Sequence, residues 1–414
     1  MRIAAALLLL GCSSTAGSDT ADVTQASHDV TQAPPDVPAS ETHLAPADAA
    51  APPPHLSGQI DAAGSFRVGF RSESVTYTPS AVTDGDEPLV LPERTLSVSV
   101  WYPASSTVGD PATYTLGITR PNIHTGAAPL DARELPVLVY SHGHQGFAEA
   151  SFFLTEHFAS HGFIVVAPNH TGNTFIDSPT RTVDSYLVRP LDVAAVLDWL
   201  YGLPPSDPLA GRASDVVTLT GHSYGGFTAL AAAGGVWSID AAVESCATGW
   251  DSPFCDGLDA AHIAAFRHGL RDPRIDAVVT MAAGDAFAFT PDGLAGLEVP
   301  TLLITGGRDA ASRDAMSGDL LWTALPLGDR FARLSLPNAG HLTFTDTCEV
   351  VGQISEGDGC DGPPFVVPSE AHYAINTYAT AFVRGHLYAD PAGLEVLAGT
   401  RYVVPPGVAA LTIR

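Results

Sequence analysis

Beyond its N-terminal region, the chain alternates continuous apolar runs with segments whose apolar residues recur at helical spacing. Residues 135–140 and 163–167 are apolar runs of strand length, and they predict buried strands. Residues 150–161 and 184–201 carry apolar side chains at the spacing of one helix face. This alternation predicts an α/β protein with a mostly parallel central sheet that helices cover on both faces.

The two ends of this alternating region have a different pattern. Residues 66–77 and 95–102 follow a period of two, so they predict antiparallel leading strands. Residues 105–134 are rich in proline, glycine and threonine, and we interpret them as an insertion loop. Residues 370–387 predict a closing helix, whereas the pattern of residues 393–414 favours no particular element.

The N-terminus resembles an export signal. Met1 and Arg2 precede an apolar run at residues 3–10, which is too short to span a bilayer. The run ends in Leu-Gly-Cys-Ser, which resembles a bacterial lipobox, so we expect Cys12 to be lipidated. An ordinary signal peptide that happens to contain a cysteine is the alternative.

The expected division of the chain follows from a change of composition. Residues 1–12 are the predicted lipoprotein-type signal peptide. Residues 13–58 are rich in Ala, Pro, Ser, Thr and Asp without apolar periodicity, and we expect a disordered tether. Residues 59–414 are the predicted folded domain. We expect an outer-membrane or cell-surface lipoprotein, or otherwise a secreted or periplasmic protein, whose membrane contact is through the lipid anchor alone.

Charge and cysteine usage restrict the function further. The net charge of −26 argues against nucleic acid as a partner, because the phosphate backbone would be repelled. The sequence has no Cys-x-x-Cys or His-Glu-x-x-His pattern, so we expect no catalytic metal. The serine chemistry expected below requires no cofactor. The four cysteines other than Cys12 allow three pairings. Local pairing is the simplest, in an exported chain that permits disulfides, and it joins Cys246 to Cys255 and Cys348 to Cys360.

The candidate nucleophile lies in a sharp turn between two predicted elements. Residues 215–220 predict a buried strand and residues 227–233 a helix packed on it. Between them stands the sequence Gly221-His222-Ser223-Tyr224-Gly225-Gly226. Strand, Gly-x-Ser-x-Gly and helix together predict a nucleophile elbow, which exposes the Ser223 hydroxyl at the sheet edge. Its glycines allow the two backbones to approach closely.

A serine nucleophile needs a base and an orienting acid, which follow it along the chain in the order acid, then histidine. His341 comes directly after the predicted strand 331–336, so we expect it to be the base. His262, His268 and His372 lie in helix-like stretches and are weaker candidates.

Two aspartates compete for the role of the orienting acid. Asp309 follows the predicted strand 301–305, and Asp285 follows the strand before it, at residues 275–283. We favour Asp309, because the acid usually follows the penultimate strand, and keep Asp285 as the alternative.

The same sheet edge offers an oxyanion hole, which needs two backbone N–H groups. We expect one to be the amide of Tyr224 and the other that of His144, in the turn after residues 135–140, with Gly143 as the second choice. A metal bound by His142 and His144 is the rival interpretation, but two ligands without a third seldom form a site.

Four motifs together resemble the bacterial serine esterases grouped with platelet-activating-factor acetylhydrolase and dienelactone-hydrolase-like proteins, with the polyester-degrading cutinases as neighbours. The resemblance covers roughly residues 66–388. Its motifs are Tyr140-Ser141-His142-Gly143, Arg189-Pro190-Leu191-Asp192-Val193, Gly221-His222-Ser223-Tyr224-Gly225-Gly226 and Gly340-His341.

The resemblance implies an α/β-hydrolase fold. It also implies a triad serine and histidine at Ser223 and His341, with oxyanion amides at His144 and Tyr224. The acetylhydrolases take their acid from the earlier strand, which is Asp285 here, and the cutinase-like members from the later loop. Dienelactone hydrolases proper use a cysteine nucleophile where this chain has serine, so that name does not define the substrate.

We therefore expect a serine hydrolase that cleaves carboxylic esters through an acyl-enzyme. Phospholipids, polyesters or peptides are alternative substrates of the same triad, and a non-catalytic binding lipoprotein is the alternative from another class. Residues 235–274 are the expected small cap after the nucleophile helix. Four apolar side chains next to the motifs either line an acyl pocket or belong to the core: Phe147, Phe175, Tyr224 and Leu342.

Overall fold

The computed structural model describes residues 53, 55–85, 87–177, 181–351, 358–402, 404–405 and 407–414, with the backbone alone at Val351. The expected signal peptide, Cys12 and all but the last residues of the expected tether lie outside this set. Among the described residues, no helix combines the length and the apolar character needed to cross a bilayer.

In the described part of the chain, eleven strands form one sheet and two short strands form a separate pair. The strands are β1 (Arg67–Tyr77), β2 (Ser80–Ala81), β3 (Leu89–Val90), β4 (Arg94–Ala104), β5 (Asp110–Thr113), β6 (Thr119–Thr125), β7 (Leu135–Ser141), β8 (Ile164–Pro168), β9 (Ala213–His222), β10 (Ile275–Met281), β11 (Thr301–Gly306), β12 (Phe331–Leu336) and β13 (Ala410–Ile413).

The helices are α1 (Phe152–Ser160), α2 (Val183–Tyr201), α3 (Tyr224–Ala232), α4 (Ile239–Ala247), α5 (Pro253–Asp256), α6 (Ala260–His268), α7 (Pro291–Leu294), α8 (Gly318–Ala324), α9 (Thr347–Val351), α10 (Pro368–Tyr388) and α11 (Pro391–Leu397). Short 3₁₀ turns occur at Thr115–Gly117, Ala286–Ala288, Asp314–Met316 and His341–Phe344.

The large sheet has the strand order β13-β12-β11-β10-β9-β7-β8-β4-β1-β6-β5. The six central strands β12, β11, β10, β9, β7 and β8 are parallel to one another, as the continuous apolar runs predict. Their carboxyl ends therefore meet along one edge of the sheet, which is where ligands bind in open α/β sheets.

Two apolar cores lie on opposite faces of the sheet. On β7, Val137 and Val139 face one core, which α2 and α3 complete. Leu138 and Tyr140 face the other core, which contains side chains of α1 and α10. This alternation follows from the period of two along a strand, and it explains why β7 is buried along its whole length. The predicted sheet, covered on both faces, is confirmed.

The leading strands β1 and β4 are antiparallel, as predicted. The interpretation of residues 105–134 as a loop was wrong, because β5 and β6 lie within them and extend the sheet beyond β1. In β6, Ile123 alone is buried, so this strand shows no apolar alternation that would reveal it. The unassigned tail contains most of α11 and all of β13, which pairs with β12 at the opposite edge.

The expected cap is present as α4, α5 and α6, between α3 and β10. Its apolar side chains, Trp237, Phe254 and Phe266, are buried in the core on the α2 and α3 side of the sheet. Trp237 stacks on Tyr186 of α2, with 4.8 Å between ring centroids. The cap is therefore packed onto the domain through these aromatic side chains.

The folded domain includes residues expected to belong to the tether. Ser57 is buried and its amide donates to the carbonyl of His161, while the guanidinium of Arg384 donates to the Ser57 carbonyl. Leu56 packs against the core on the α1 and α10 side. The boundary at residue 58 therefore lies a few residues too late, because a polar stretch can be held by backbone hydrogen bonds that composition does not reveal.

Candidate active site

Ser223 lies at the sharp turn between β9 and α3, with φ 55° and ψ −119°. A positive φ is strained for a residue with a side chain, and it is the geometry of a nucleophile elbow. The glycines around the serine allow the close approach of the backbones. A Cβ on Gly221 would lie 2.2 Å from the Gly225 carbonyl oxygen, and one on Gly225 would lie 1.8 Å from that of Ser141.

His341 and Asp309 are brought together at the same edge of the sheet. The imidazole Nδ1–H of His341 donates to Asp309 Oδ2 at 2.8 Å. The other carboxylate oxygen accepts the amides of Ala311 and Ser312, at 2.8 and 2.7 Å, so the aspartate is held from both sides. With Nδ1 protonated, the remaining nitrogen Nε2 is the acceptor, which is what a general base requires.

The surroundings of Asp309 keep it ionised. Burial raises the pKa of its carboxyl, but the hydrogen bond and charge of His341 and the amide of Ser312 outweigh burial and hold the pKa below its usual value. An ionised carboxylate beside the imidazole stabilises the imidazolium that forms when the base takes a proton.

His222 connects the serine turn to the His341 turn, and the sequence interpretation missed it. Its Nε2–H donates to the His341 carbonyl at 3.0 Å, and the two rings lie 4.6 Å apart. Burial, then the charge of His341, lowers the pKa of His222 to about 3, so it stays neutral. His222 therefore places His341 beside the elbow, and its position directly before Ser223 was the signal available in the sequence. No hydrogen bond to the Ser223 hydroxyl is present within the described ranges.

Asp285, the alternative acid, has a different partner. It forms an ion pair with Arg181 at 2.5 Å and accepts a long hydrogen bond from Tyr186 at 3.4 Å. Burial raises the pKa of Asp285, and the charge of Arg181 offsets only part of this effect. The structure thus pairs His341 with Asp309, while Asp285 is held on Arg181.

The competing histidines also have other partners. His262 bridges Asp259 and Asp184 at 2.7 and 2.9 Å. His372 bonds the Thr343 carbonyl, and His268 lies 3.5 Å from Asp84.

The two residues predicted to supply the oxyanion amides belong to the turn after β7 and to the start of α3, and both segments adjoin Ser223. A Cβ on Gly143 would lie 3.2 Å from Ser223 Cβ, so the turn that carries His144 packs against the serine. Tyr224 is the first residue of α3, and the amides of a first helical turn have no partner within the helix. A Cβ on Gly284 would lie 3.6 Å from Ser223 Oγ, so the absence of a side chain there keeps space open in front of the hydroxyl.

Arg189 of the Arg-Pro-x-Asp motif joins the elements that carry the two donors. It is fully buried, and it donates to Thr228 on α3 at 3.1 Å and to the Ser141 hydroxyl at the end of β7 at 3.0 Å. Its guanidinium also donates to the His142 carbonyl and lies over the Tyr224 ring, 4.6 Å from its centroid. Burial lowers the pKa of Arg189 to about 10, and the arginine still remains charged at neutral pH.

Asp192 is the acidic residue of the same Arg-Pro-x-Asp motif, and it binds three side chains. Its carboxylate binds Arg94 at 2.9 Å, His170 at 2.8 Å and the Tyr77 hydroxyl at 2.5 Å. His170 in turn bonds the Ser141 hydroxyl at 2.9 Å. Arg189 directly, and Asp192 through His170, therefore hold Ser141 at the start of the predicted oxyanion turn. Sequence spacing did not reveal these contacts.

The geometry argues against a metal held by His142 and His144. His142 donates from Nδ1 to the Gly143 carbonyl at 2.7 Å and accepts the His170 amide at Nε2 at 3.0 Å, so both nitrogens have protein partners. Within the residues that the structure describes, three potential ligands cluster only at Cys348, Asp358 and Cys360, where the two sulfurs are in a disulfide.

Both disulfides predicted by local pairing are confirmed, at Cys246–Cys255 and Cys348–Cys360. The second lies against the His341 turn. The Leu342 amide donates to the Asp358 carbonyl at 2.6 Å, and a Cβ on Gly340 would lie 2.5 Å from the Gly359 nitrogen. The segment that ends at Cys360 therefore packs directly on the residues beside the candidate base.

The expected lining of an acyl pocket is partly wrong. The Tyr224 ring is 1% exposed and sits beneath Arg189, so it belongs to the core rather than to a pocket. Phe147 and Phe175 meet edge to face at 5.8 Å, and Phe175 is 38% exposed. Tyr224 is the first residue of α3, and its side chain points into the core, so only its backbone adjoins Ser223.

Comparison with known proteins gives one matching family model and many similar solved structures. A protein-family model described as Chlorophyllase matches residues 114–248. Among solved structures, the ferulic acid esterase from Streptomyces cinnamoneus is similar, with 22% sequence identity and a TM-score of 0.58 over 86% of this chain and 100% of that chain. No curated protein gives a significant sequence match. The similarity to the esterase structure supports the α/β-hydrolase fold of the chain.

Proposed function

We propose that this protein hydrolyses carboxylic esters with Ser223 as the nucleophile, His341 as the general base and Asp309 as the orienting acid. The observation that carries the proposal is the pairing of His341 with a buried, ionised Asp309 beside a serine in the elbow conformation. Each side chain follows a different parallel strand, so the fold itself brings them to one edge.

The reaction begins when Ser223 Oγ attacks the ester carbonyl carbon as His341 Nε2 takes the hydroxyl proton. The bond from carbon to the alcohol oxygen then breaks, and His341 returns the proton to that leaving alcohol. Water, deprotonated by the same imidazole, attacks the acyl carbon. The bond from that carbon to Ser223 Oγ then breaks, the carboxylic acid leaves, and His341 returns the proton to the serine. Asp309 keeps Nδ1 protonated and stabilises the imidazolium at each stage.

The amides of His144 and Tyr224 stabilise the negative oxygen that develops on the substrate. Two preorganised N–H donors in such a position contribute a large part of catalysis, since losing one oxyanion donor costs about 100- to 1,000-fold in kcat. Arg189 supports this arrangement, because it binds the end of β7 and α3 together and so holds the two donors at a constant separation.

Two grounds support a carboxylic ester as the substrate class. The triad and oxyanion turn are suited to acyl transfer. The similar solved structure is named a ferulic acid esterase, and that name states ester cleavage. The matching family model is described as Chlorophyllase.

Hydrolysis of p-nitrophenyl acetate and butyrate by the full chain tests this proposal. Ser223→Ala and His341→Ala should each lower kcat by several orders of magnitude, with unchanged circular dichroism, because the triad acts as a unit. Ser245→Ala in α4 is a matched control and should keep full activity. Substantial hydrolysis by Ser223→Ala would place the nucleophile elsewhere and overturn the proposal.

We propose also that the protein is exported and anchored by a lipid on Cys12. Two disulfides support export, because such bonds persist in oxidising compartments. In a bacterial host, incorporation of a labelled fatty acid tests the anchor. Wild type should take up the label and partition into detergent, whereas Cys12→Ser should not. Equal labelling of both proteins would exclude Cys12 as the modified residue.

A further inference from the structure

Three side chains beside the oxyanion turn form a chain of hydrogen bonds whose directions are fixed by chemistry. Arg189 donates to Asn173 Oδ1 at 2.6 Å, and a guanidinium can only donate. The other end of the same amide, Asn173 Nδ2, is therefore the NH₂ group that lies 2.9 Å from His144 Nδ1. That nitrogen must accept, so the ring proton of neutral His144 is on Nε2.

The ring is also held in its neutral form. Burial, then the positive charge of Arg181, lowers the pKa of His144 to about 4. At neutral pH, His144 consequently carries a single ring proton, and Nε2–H is its hydrogen-bond donor.

The chain of bonds begins in the core and ends beside the nucleophile. Arg189 is fully buried and Asn173 is 2% exposed, whereas His144 is partly exposed. The His144 ring lies edge-on to the ring of Tyr224, at 6.4 Å, in the turn that packs against Ser223. The backbone repeats the attachment, because the Gln145 amide donates to the Asn173 carbonyl at 3.2 Å.

We infer that His144 is a further catalytic residue, whose Nε2–H donates to an acceptor oxygen of the bound ester, and that Asn173 is the positioning residue that sets its tautomer. This inference rests on the proposed ester hydrolysis and adds a side-chain donor to the backbone amide of the same residue. Asn173 and Arg189 act through His144 and do not themselves contact the substrate.

Substitutions of His144 separate the donor from the backbone amide, which every variant retains. His144→Leu should lower kcat/KM for p-nitrophenyl butyrate by roughly 10- to 100-fold, the range between loss of a modest hydrogen bond and loss of an oxyanion donor. His144→Gln, which offers an N–H donor of similar reach, should stay within about 5-fold of wild type. His124→Leu, a histidine substitution on the distant strand β6, is the control and should have no effect.

Asn173→Asp distinguishes a donor from a purely structural support. An ionised Asp accepts only, so it would still bind Arg189 but would require His144 to donate from Nδ1. Neutral His144 would then lack the Nε2 proton, and only its doubly protonated form would keep it. The variant should therefore lose activity as the pH rises through the titration of His144, whereas wild type should not, and nitrogen NMR should show the proton moved from Nε2 to Nδ1.

The outcomes separate clearly. The inference is overturned if His144→Leu retains wild-type kcat/KM, if Leu and Gln lose activity equally, or if Asn173→Asp loses activity uniformly at every pH. If the folded wild-type protein hydrolysed no ester, the proposed function and this inference would both be overturned. NMR evidence of Nδ1–H in active wild type would overturn the tautomer assignment and leave the proposed function standing.

Discussion

The loops after β10 and β11 each present an aspartate, but the two aspartates have different partners. Each follows a buried parallel strand, passes a glycine and presents an aspartate at the same edge of the sheet, Asp285 in one loop and Asp309 in the other. Asp309 lies against His341, and Asp285 against Arg181. The comparison shows that the role of a carboxylate at this edge depends less on the strand that it follows than on the side chain that a neighbouring loop brings to it.

The electrostatics of the two carboxyls differ in the same way. Burial raises the pKa of both, but the partners of Asp309 reverse the effect, whereas the pKa of Asp285 stays raised despite Arg181. An orienting acid must be ionised to stabilise an imidazolium, so the loop after β11 has the suitable environment.

The largest difference between the two loops should appear in catalysis. Asp309→Asn should lower kcat about 10,000-fold, because the imidazole loses the group that fixes its tautomer and stabilises its charge. Asp285→Asn should lower kcat by less than about 10-fold, through disturbance of Arg181 near the oxyanion turn. Steady-state kinetics on p-nitrophenyl butyrate measure both. The reverse ordering would make Asp285 the acid.

An intermediate difference should appear when the two disulfides are removed. Each closes a short loop, and each should contribute roughly 3 kcal/mol to the free energy of unfolding in the chain-entropy model. Cys348→Ser with Cys360→Ser should in addition lower kcat by up to about 100-fold, because the His341 turn rests on the segment that ends at Cys360 and a shift of about 1 Å has that effect.

Cys246→Ser with Cys255→Ser is the matched control for that experiment. It should lose a similar free energy of unfolding but keep kcat within about 3-fold, since its loop lies in the cap. Kinetics must be measured at a temperature where both variants are folded, as verified by circular dichroism. Equal kcat in the two double variants would show that the second disulfide does not brace the base.

The smallest difference should appear in stability against pH. The pKa of Asp309 is lower in the folded chain, so its stabilising contribution is complete above the unfolded value of about 3.9 and disappears as the pH falls through the folded pKa. The pKa of Asp285 is higher in the folded chain, so its contribution is complete below about 3.9 and is lost as the pH rises through the folded pKa.

Urea unfolding between about pH 3 and 6 measures these opposite trends. The stability of wild type relative to Asp309→Asn should decrease as the pH falls, and that relative to Asp285→Asn should decrease as the pH rises. Parallel trends for the two variants would contradict the assigned pKa directions.

The sequence predicted the parts of the fold and site whose signals are local. The elbow around Ser223 and the buried strands are read from short runs of residues, and the structure has them where the patterns indicate. The outer strands β5 and β6 were missed, because each buries only one side chain and their sequences are rich in turn-forming residues.

The missed part of the site depends on contacts distant in sequence. The bond from His222 to the His341 carbonyl and that from Arg189 to Asn173 join residues of separate elements, and no periodicity encodes such pairs. The choice between Asp285 and Asp309 was open for the same reason. The presence of Arg181 beside Asp285 could be seen only once the chain was folded.

The central claim is that Ser223 is activated through His341 and Asp309, and labelling with a fluorophosphonate tests it most directly. The reagent reacts with an activated serine, and mass spectrometry of the peptides identifies the labelled residue. We predict a single adduct on Ser223, formed at similar rates in wild type and Asp285→Asn and far more slowly in Asp309→Asn. An adduct on another serine, or rapid labelling of Asp309→Asn together with slow labelling of Asp285→Asn, would contradict the account.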